Sequence, residues 1–455
     1  MVFALALVEL SSLLAVCCLL FLWGQATPLE WPYLASVLPQ ALVVSFCCLV
    51  CFYYNDLYNL RVVRGLAEFV PRLFQSLLVA FVLLAAFSIF FPEKTIGGEL
   101  FAFLLVIIAA LLLTFRAICY GVVNERFLSQ RVLILGTSSL AWKITDEAHR
   151  APHLRYNILG FVGEDDEHSS LQLGPVHQPQ YPVIGTLDRV DNVIEEAKPD
   201  RVVVALSERR GRLPVAKLLA TCVNGVLVED GVEAYERITQ KLAIESLNPS
   251  YLLFSKDFKK PRRQLSLRRA TSLGIAAIGL LVSAPLMALI ALLIKLDSKG
   301  PAFFIQERAG MNGRIFPLIK FRTMREGTTS SADSVWRRDD SRVTRLGKHL
   351  RRMRLDELPQ FINILRGDMD LIGPRPEMAT NVQSMIETIP YYSLRMVVRP
   401  GVTGWAQIKH GYSVSQKEVM EKIRYDLYYI KHMSIWLDLR ILVDTVKIVL
   451  FGRGK

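Results

Sequence analysis

The chain has 455 residues, 52% of them hydrophobic, with a mean hydropathy of +0.31 and a formal net charge of +12. That balance is too apolar for an ordinary soluble enzyme and too charged for a pure transporter, so the chain divides between membrane and cytosol. Four apolar stretches open it, near residues 3–23, 33–54, 71–91 and 97–119. Each is close to the ~20 residues a helix needs to cross a bilayer, which predicts a four-helix transmembrane bundle over residues 1–123. The first stretch lacks a basic leading segment and a small-residue cleavage site and is followed by three more, which favours an uncleaved anchor over a signal peptide. Arg61, Arg64 and Arg72 lie between the second and third stretches and Arg126 and Arg131 after the fourth, whereas the loops near 24–32 and 92–96 carry only Lys94. This bias places both termini in the cytoplasm. Cys17, Cys18, Cys47, Cys48, Cys51 and Cys119 lie in or beside apolar stretches, with Cys222 in the soluble part, and no disulfide framework is indicated. The Cys47, Cys48 and Cys51 cluster has no His or acid in its stretch and reads as apolar filling rather than a metal site.

Residues 131–255 change character. RVLIL at 131–135, ILGFV at 158–162, RVVVAL at 201–206 and GVLVED at 225–230 alternate with helical patterns near 139–149, 187–198 and 212–223. An open, mainly parallel α/β sheet is the fold this predicts, a Rossmann-like accessory domain. After the first strand, Gly136-Thr137-Ser138-Ser139-Leu140-Ala141 has the first glycine of a dinucleotide fingerprint and neither of the others. It favours a degenerate module for assembly, regulation or spacing over one that binds NAD.

A fifth apolar stretch runs from Thr271 to Ile294, with Arg268 and Arg269 before it, Lys295 and Lys299 after it, and Pro285 within it shortly after Ser283. Basic flanks on both sides oppose a simple crossing. A helix broken at Ser283 and Pro285, about residues 270–295, can instead enter and return, because proline removes a backbone hydrogen bond at a cost of about 3 kcal/mol that neighbouring protein or Ser283 offsets. A kinked fifth span is the alternative. Beyond it, PAFFIQERAG at 301–310 and RIFPLIKFRTM at 314–324 read as strands that bring Gln306, Arg308, Lys320 and Arg322 to one surface. The arginines that follow, from Arg337 to Arg354, interleave with Asp333, Asp339 and Asp340 and belong to no nucleic-acid module, so lipid headgroups, a diphosphate and a prenyl phosphate are better targets than nucleic acid.

Residues 351–376, RRMRLDELPQFINILRGDMDLIGPRP, set the acid pair Asp356-Glu357 at the entrance of a short helix. Leu358, Phe361, Ile362 and Leu365 mark one buried stripe of that helix and Gly367 its stop. Neighbouring helical residues point about 100° apart, so one carboxylate can attack phosphorus while the other holds a metal. The plainer alternative is that Asp356 caps the helix and Glu357 complements its dipole. VVRPGVTGWAQI at 397–408 forms a second tight element whose glycines suit close approach to a ligand, with Arg399 either a phosphate ligand or part of a structural turn. The segment at 425–450 reads as one amphipathic helix, interfacial or packed on the catalytic unit.

With the GDM turn at 367–369, GPRP at 373–376, KFRTM at 320–324 and RPGVTGWAQI at 399–408, residues 262–455 resemble the catalytic domain of the monotopic bacterial polyprenyl-phosphate phosphoglycosyl transferases. The resemblance implies an α-rich catalytic domain with a re-entrant membrane helix and interfacial amphipathic helices, behind four spans and an accessory domain. It also implies an inner-membrane enzyme that transfers a sugar 1-phosphate from a UDP-sugar to polyprenyl phosphate, at the start of exopolysaccharide or O-antigen-type synthesis. Asp356 would be the nucleophile, Glu357 the Mg2+ ligand and Arg375 the phosphate clamp, supported by Lys320, Arg322, Arg308 and Arg399; Asp368 ranks as structural. The accessory domain is a candidate surface for a homodimer. A membrane-anchored nucleotide-sugar dehydratase or epimerase would need an intact glycine fingerprint and usually a Tyr-x-x-x-Lys pair, and a non-enzymatic scaffold would need neither Asp356 nor metal.

Overall fold

The computed structural model describes residues 2–23, 31–59, 62–63, 65–90, 98–123, 129–151, 154–164, 181–208, 211–247, 252, 255–325, 342–410 and 416–451. Arg61, Arg64, Lys94, Arg126, Arg337 and Arg338 lie outside them, as do Asp333, Asp339 and Asp340. The fold is mostly helical with one parallel sheet. Four apolar helices come first: α1 (Val2–Trp23), α2 (Trp31–Tyr54), α3 (Leu66–Phe90) and α4 (Gly98–Val123). Leu13, Cys17, Cys48, Phe52, Leu73 and Ile108 pack in a shared core, so these cysteines fill space between helices. Within that core Glu9 and Arg116, each 2% exposed, form an ion pair at 2.8 Å. Such a pair is tolerable in low dielectric only while both members are present. By length and composition, two helical segments among the described residues can cross a membrane, Leu66–Phe87 and Arg262–Asp297.

The α/β unit comprises β1 (Gln130–Leu135), α5 (Ser139–Arg150), β2 (Tyr156–Gly163), β3 (Val183–Thr186), α6 (Val190–Ala197), β4 (Arg201–Val204), α7 (Val215–Val223), β5 (Leu227–Asp230) and α8 (Gly231–Thr239). Its strands pair in parallel in the order β3-β2-β1-β4-β5. The strands are apolar on both faces because helices cover both. Val132 and Ile134 join Leu140, Ile144 and Tyr235 on one side, and Leu133 and Leu135 join Val190, Val193 and Leu218 on the other. The sequence pattern misses β3, a short strand whose VIGT carries little hydrophobic signal, and α8, which starts where the Asp230 carboxylate accepts from Val232 N at 2.7 Å.

The C-terminal half begins with α9 (Arg262–Asp297), which continues through Pro285 as one helix. Near its start Arg268 pairs with Asp438 at 2.6 Å and Arg269 with Asp370 at 2.7 Å. Near its end Met287, Ile290 and Ile294 pack with Ala302, Phe321 and Leu350. Both ends of α9 therefore rest on the same globular unit, while Ile278, Leu281, Val282 and Leu296 point outward and exposed. The Ser283 hydroxyl donates to Gly279 O at 2.6 Å, the usual one-turn reach of a helical serine. It thus serves a carbonyl other than that of Leu281, the one Pro285 leaves without a donor.

The hairpin β6 (Phe303–Ala309) and β7 (Ile315–Phe321) is antiparallel, with Phe304 opposite Lys320 and Arg308 opposite Phe316. There follow α10 (Arg345–Arg352), a 3-10 turn at Leu355–Glu357, α11 (Gln360–Arg366), β8 (Asp370–Ile372), α12 (Ala379–Thr388), β9 (Gly401–Thr403), α13 (Trp405–Lys409), α14 (Gln416–His432) and α15 (Ile435–Phe451). The segment expected as one helix over 425–450 is two, since Ser434 Oγ accepts from Leu437 N at 3.2 Å and starts α15 afresh. The two helices differ in burial: α14 buries Ile423, Leu427, Tyr429 and Ile430, whereas α15 exposes Trp436, Leu439 and Val446. The α/β unit docks on this half through α14 and α13. Leu242 N donates to Arg424 O at 3.1 Å, Trp405 Nε1 to Gln240 O at 3.1 Å, and buried Glu236 pairs with Lys431 at 2.6 Å.

Candidate active site

The acid pair is displayed by a turn braced from both sides. Upstream, Thr344 caps α10 by accepting from Gly347 N at 2.9 Å, and a Cβ at Gly347 would lie 2.2 Å from Thr323 O, so only glycine lets α10 approach the end of β7 this closely. Arg354 then adopts φ 54°, an uncommon conformation for a residue with a side chain. It turns the chain into the Leu355–Glu357 segment. Downstream, fully buried Asn363 accepts from Ile319 N at 3.0 Å and donates to Pro317 O at 2.7 Å, and to Asp368 Oδ2 at 3.1 Å, which locks α11 to β7. Capping is not the job of Asp356: neither the 3-10 turn nor α11 has a side-chain cap. The stripe expected to be buried is also reversed. Gln360, Asn363 and Ile364 face the core while Leu365 is exposed, and Phe361 packs against α9, where a Cβ on Gly279 would lie 2.9 Å from its ring.

Glu357 is buried and clamped by Arg375, with Nη2 to Oε1 at 2.7 Å and Nη1 to Oε2 at 3.4 Å, and with Arg354 Nη1 3.7 Å away. Burial opposes its charge, but Arg375 and Lys320 overcome that penalty and hold the carboxyl down at about 2. Its neighbour behaves oppositely. Burial, and then the negative charge of Glu357, push Asp356 up to about 6, against the pull of Lys320, Arg351 and Arg375. Burial and Arg375 in turn push Lys320 down to about 8. Among the described residues neither Asp356 nor Lys320 makes a hydrogen bond or ion pair. Arg375 sits in a fixed corner between Pro374 and Pro376. Arg308 Nη1 donates to Pro376 O at 3.1 Å on one side. On the other, buried Arg395 donates to Arg375 O at 2.9 Å while paired with Asp426 at 2.8 Å.

Residues 263–452 match the bacterial sugar transferase family. The UDP-N-acetylgalactosamine-undecaprenyl-phosphate N-acetylgalactosaminephosphotransferase of Aeromonas hydrophila is 45% identical over 188 residues, 41% of this chain and 44% of the relative. The UDP-glucose:undecaprenyl-phosphate glucose-1-phosphate transferase of Xanthomonas campestris pv. campestris is 31% identical over 340 residues, 70% of this chain and 66% of the relative. A protein of the same name from Caulobacter vibrioides is 43% identical over 192 residues, 41% of this chain and 71% of the relative. The chain belongs to the polyprenyl-phosphate phosphoglycosyl transferases. It spans 44% and 66% of the length of the Aeromonas and Xanthomonas relatives.

Within this transferase the structure gathers Asp356, Glu357, Arg375, Lys320 and Arg308, and sets two candidates apart. Arg322 Nη2 donates to Ser298 O at 2.7 Å and Oγ at 2.9 Å, tying β7 to the end of α9. Arg399 Nε donates to Gly367 O at 3.1 Å, so of its two readings the structural turn is the one seen. The glycines of RPGVTGWAQI approach protein rather than an open cleft: Cβ atoms at Gly401 and Gly404 would lie 2.0 and 2.2 Å from the Gly373 backbone, which explains the parallel pairing of β8 with β9. Trp405 is buried at the junction with the α/β unit. The sequence places Arg351 and Arg354 only within a basic run suited to headgroups and phosphates, and nothing in it singles out Asn363 or Arg395 beyond the asparagine's place in an otherwise apolar helix. In the α/β unit of the transferase, Gly136 at φ +100° abuts Ala205, where a Cβ would lie 2.6 Å from the carbonyl oxygen. Ser138 caps α5 and Glu164 accepts from Ser207 N at 2.9 Å and Arg212 at 3.3 Å.

Proposed function

We propose that this transferase moves a sugar 1-phosphate from a UDP-sugar to polyprenyl phosphate, as the first membrane step of exopolysaccharide or O-antigen-type glycan synthesis. The observation that carries the reading is Asp356: a partly buried carboxylate without a partner among the described residues, beside two cations, poised to ionise near neutral pH. A carboxylate Oδ attacks the sugar-bearing phosphorus, the bond from that phosphorus to the oxygen of UMP breaks, and UMP leaves with the electron pair. A phosphate oxygen of the lipid then attacks the same phosphorus, and the acyl-phosphate bond breaks to restore Asp356. Arg375, held rigid by its prolines, and Lys320 offset charge on the transferring phosphoryl group.

The donor set fits Mg2+, an ion commonly held by one or two carboxylates plus substrate phosphates. Glu357 keeps lone pairs beyond those that face Arg375 and would be the protein ligand; when bound there, the ion neutralises the diphosphate. The four apolar helices read as spans with both termini cytoplasmic in a bacterial inner membrane, and α9 as a re-entrant helix, since both its ends rest on one unit. Strand order 3-2-1-4-5 is that of doubly wound nucleotide-binding sheets, and we read the α/β unit as Rossmann-like, serving assembly, homodimer formation included. A dehydratase or epimerase would need the turn after β1 for its cofactor, whereas Gly136 is backed onto Ala205. Relatives are named for N-acetylgalactosamine and for glucose, so a panel of UDP-sugars, scored for UMP release with Mg2+ and no lipid acceptor, tests the reaction and selects the sugar. No release with any donor would reject it.

A further inference from the structure

A cleft of about 160 Å³ opens beside the acid pair, lined by Arg354, Glu357, Phe361, Val402, Ile448 and Val449 among others. That is room for a segment of a ligand rather than for a whole small molecule, and two kinds of side chain line it. At one end stand Glu357 and Arg354, whose guanidinium is 3.7 Å from the carboxylate and makes no hydrogen bond among the described residues. The remaining wall is mostly aliphatic and aromatic, and its polar members are engaged with protein: the Thr403 and Thr445 hydroxyls bond each other at 2.7 Å, and Gln407 Nε2 donates to Val402 O at 3.1 Å. Phe361 is shared with α9, where it fills the space at Gly279, and Ile448 and Val449 belong to α15. Both helices turn exposed apolar side chains outward, Leu281 and Val282 on α9 and Trp436 and Leu439 on α15. The cleft thus sets the Arg354 guanidinium, beside the Glu357 carboxylate, next to a mostly apolar lining that reaches α15.

We propose that this cleft seats the first isoprene units of the lipid acceptor and that Arg354 binds the acceptor phosphate, an inference that rests on the two-step reading above. The chemistry selects this occupant. A nucleotide sugar would leave the aliphatic wall against hydroxyls, whereas a prenyl phosphate matches an apolar lining with one cation at its end. Seated there, the lipid phosphate presents an oxygen to the phosphorus carried by Asp356. Arg354 is held at φ 54°, and a backbone conformation of this cost persists where the surroundings over-determine it.

The test uses the full chain in phosphatidylcholine nanodiscs and a short polyprenyl phosphate bearing a diazirine in its first isoprene units. Labelling should fall on peptides containing Val402 or Ile448, and unlabelled polyprenyl phosphate should suppress it where equal phosphatidylglycerol does not. Ile448→Trp should lower labelling and raise KM for polyprenyl phosphate roughly tenfold. Arg354→Ala should raise that KM more than it lowers kcat. Val446→Trp, on the exposed side of α15, should label as the parent does. Labelling confined to other peptides, or suppressed equally by phosphatidylglycerol, would overturn the assignment. Absence of UMP release from the parent protein counts against the two-step reading alone, and the labelling pattern decides the cleft in either case.

Discussion

Two turns of this molecule are built from similar parts and end in different states. After β1, Gly136 and Ser138 meet groups of their own domain, as does Glu164 after the neighbouring β2: Gly136 abuts Ala205, Ser138 caps α5, and Glu164 bridges to Ser207 and Arg212. After α10, the turn at Leu355–Glu357 leaves Asp356 and Lys320 without partners among the described residues, although Glu357 and Arg375 clamp each other. A self-satisfied turn is stable and chemically quiet. An unpaired carboxylate and ammonium at partial burial are costly, and the surrounding braces through Asn363, Arg395 and Gly347 keep them in place. On the proposed reading the chemistry belongs to the C-terminal half and the five-stranded parallel sheet is an architectural part.

Substitutions should separate the two turns, beginning at the open one. Asp356→Asn should lower turnover by roughly a thousandfold or more, because it removes the attacking atom. Steady-state UMP release checks this, and near-parental turnover would assign the nucleophile elsewhere. Arg375→Lys should cost roughly a hundredfold in kcat/KM for the UDP-sugar, since an ammonium replaces neither arm of the fork on Glu357 and phosphate. Equal kinetics for Lys and Arg would mean that charge alone matters there.

The pH profile sharpens the comparison further. Asp356 is raised to about 6, so it takes up its proton as pH falls through that value and the attacking carboxylate disappears. Lys320 is lowered to about 8, so its positive charge is lost as pH rises through that value. A bell-shaped kcat/KM with limbs near those two values is the expected result, and Lys320→Met should flatten the alkaline limb and shift the acid limb upward, because the lysine charge holds the Asp356 carboxyl down. The smallest effect belongs to the closed turn. Ser138→Ala should cost about 1 kcal/mol of stability through loss of a helix cap, read by thermal unfolding, with UMP release unchanged. A large loss of activity there would make the α/β unit part of the reaction.

Much of the site was legible in the sequence because its parts are consecutive. Asp356-Glu357 and Pro374-Arg375-Pro376 each declare a local geometry, and their meeting follows from one short helix and one strand between them. What was not legible depends on distant partners. Arg322 and Arg399 look like phosphate ligands in the sequence, but Arg322 Nη2 is tied to the α9 terminus and Arg399 Nε to the Gly367 carbonyl. The glycines around Trp405 fit another backbone, Gly373, as well as any ligand. The α11 stripe reads as buried, and part of its apolar side meets α9 through Phe361 at Gly279, a packing that leaves the same periodicity in the sequence. Strand β3, no shorter than β4 or β5, was missed because VIGT lacks their run of apolar residues, and α8 because it follows β5 directly without an intervening loop, while the other four strands and the apolar helices stood out.

The central claim is that Asp356 carries the sugar phosphate between donor and lipid. Peptide mass analysis after brief incubation with the competent UDP-sugar and Mg2+, without lipid, should find the phosphosugar mass on the peptide that holds Asp356 and should find it discharged when polyprenyl phosphate is added. Turnover with no such adduct, or an adduct on a different peptide, would contradict the account.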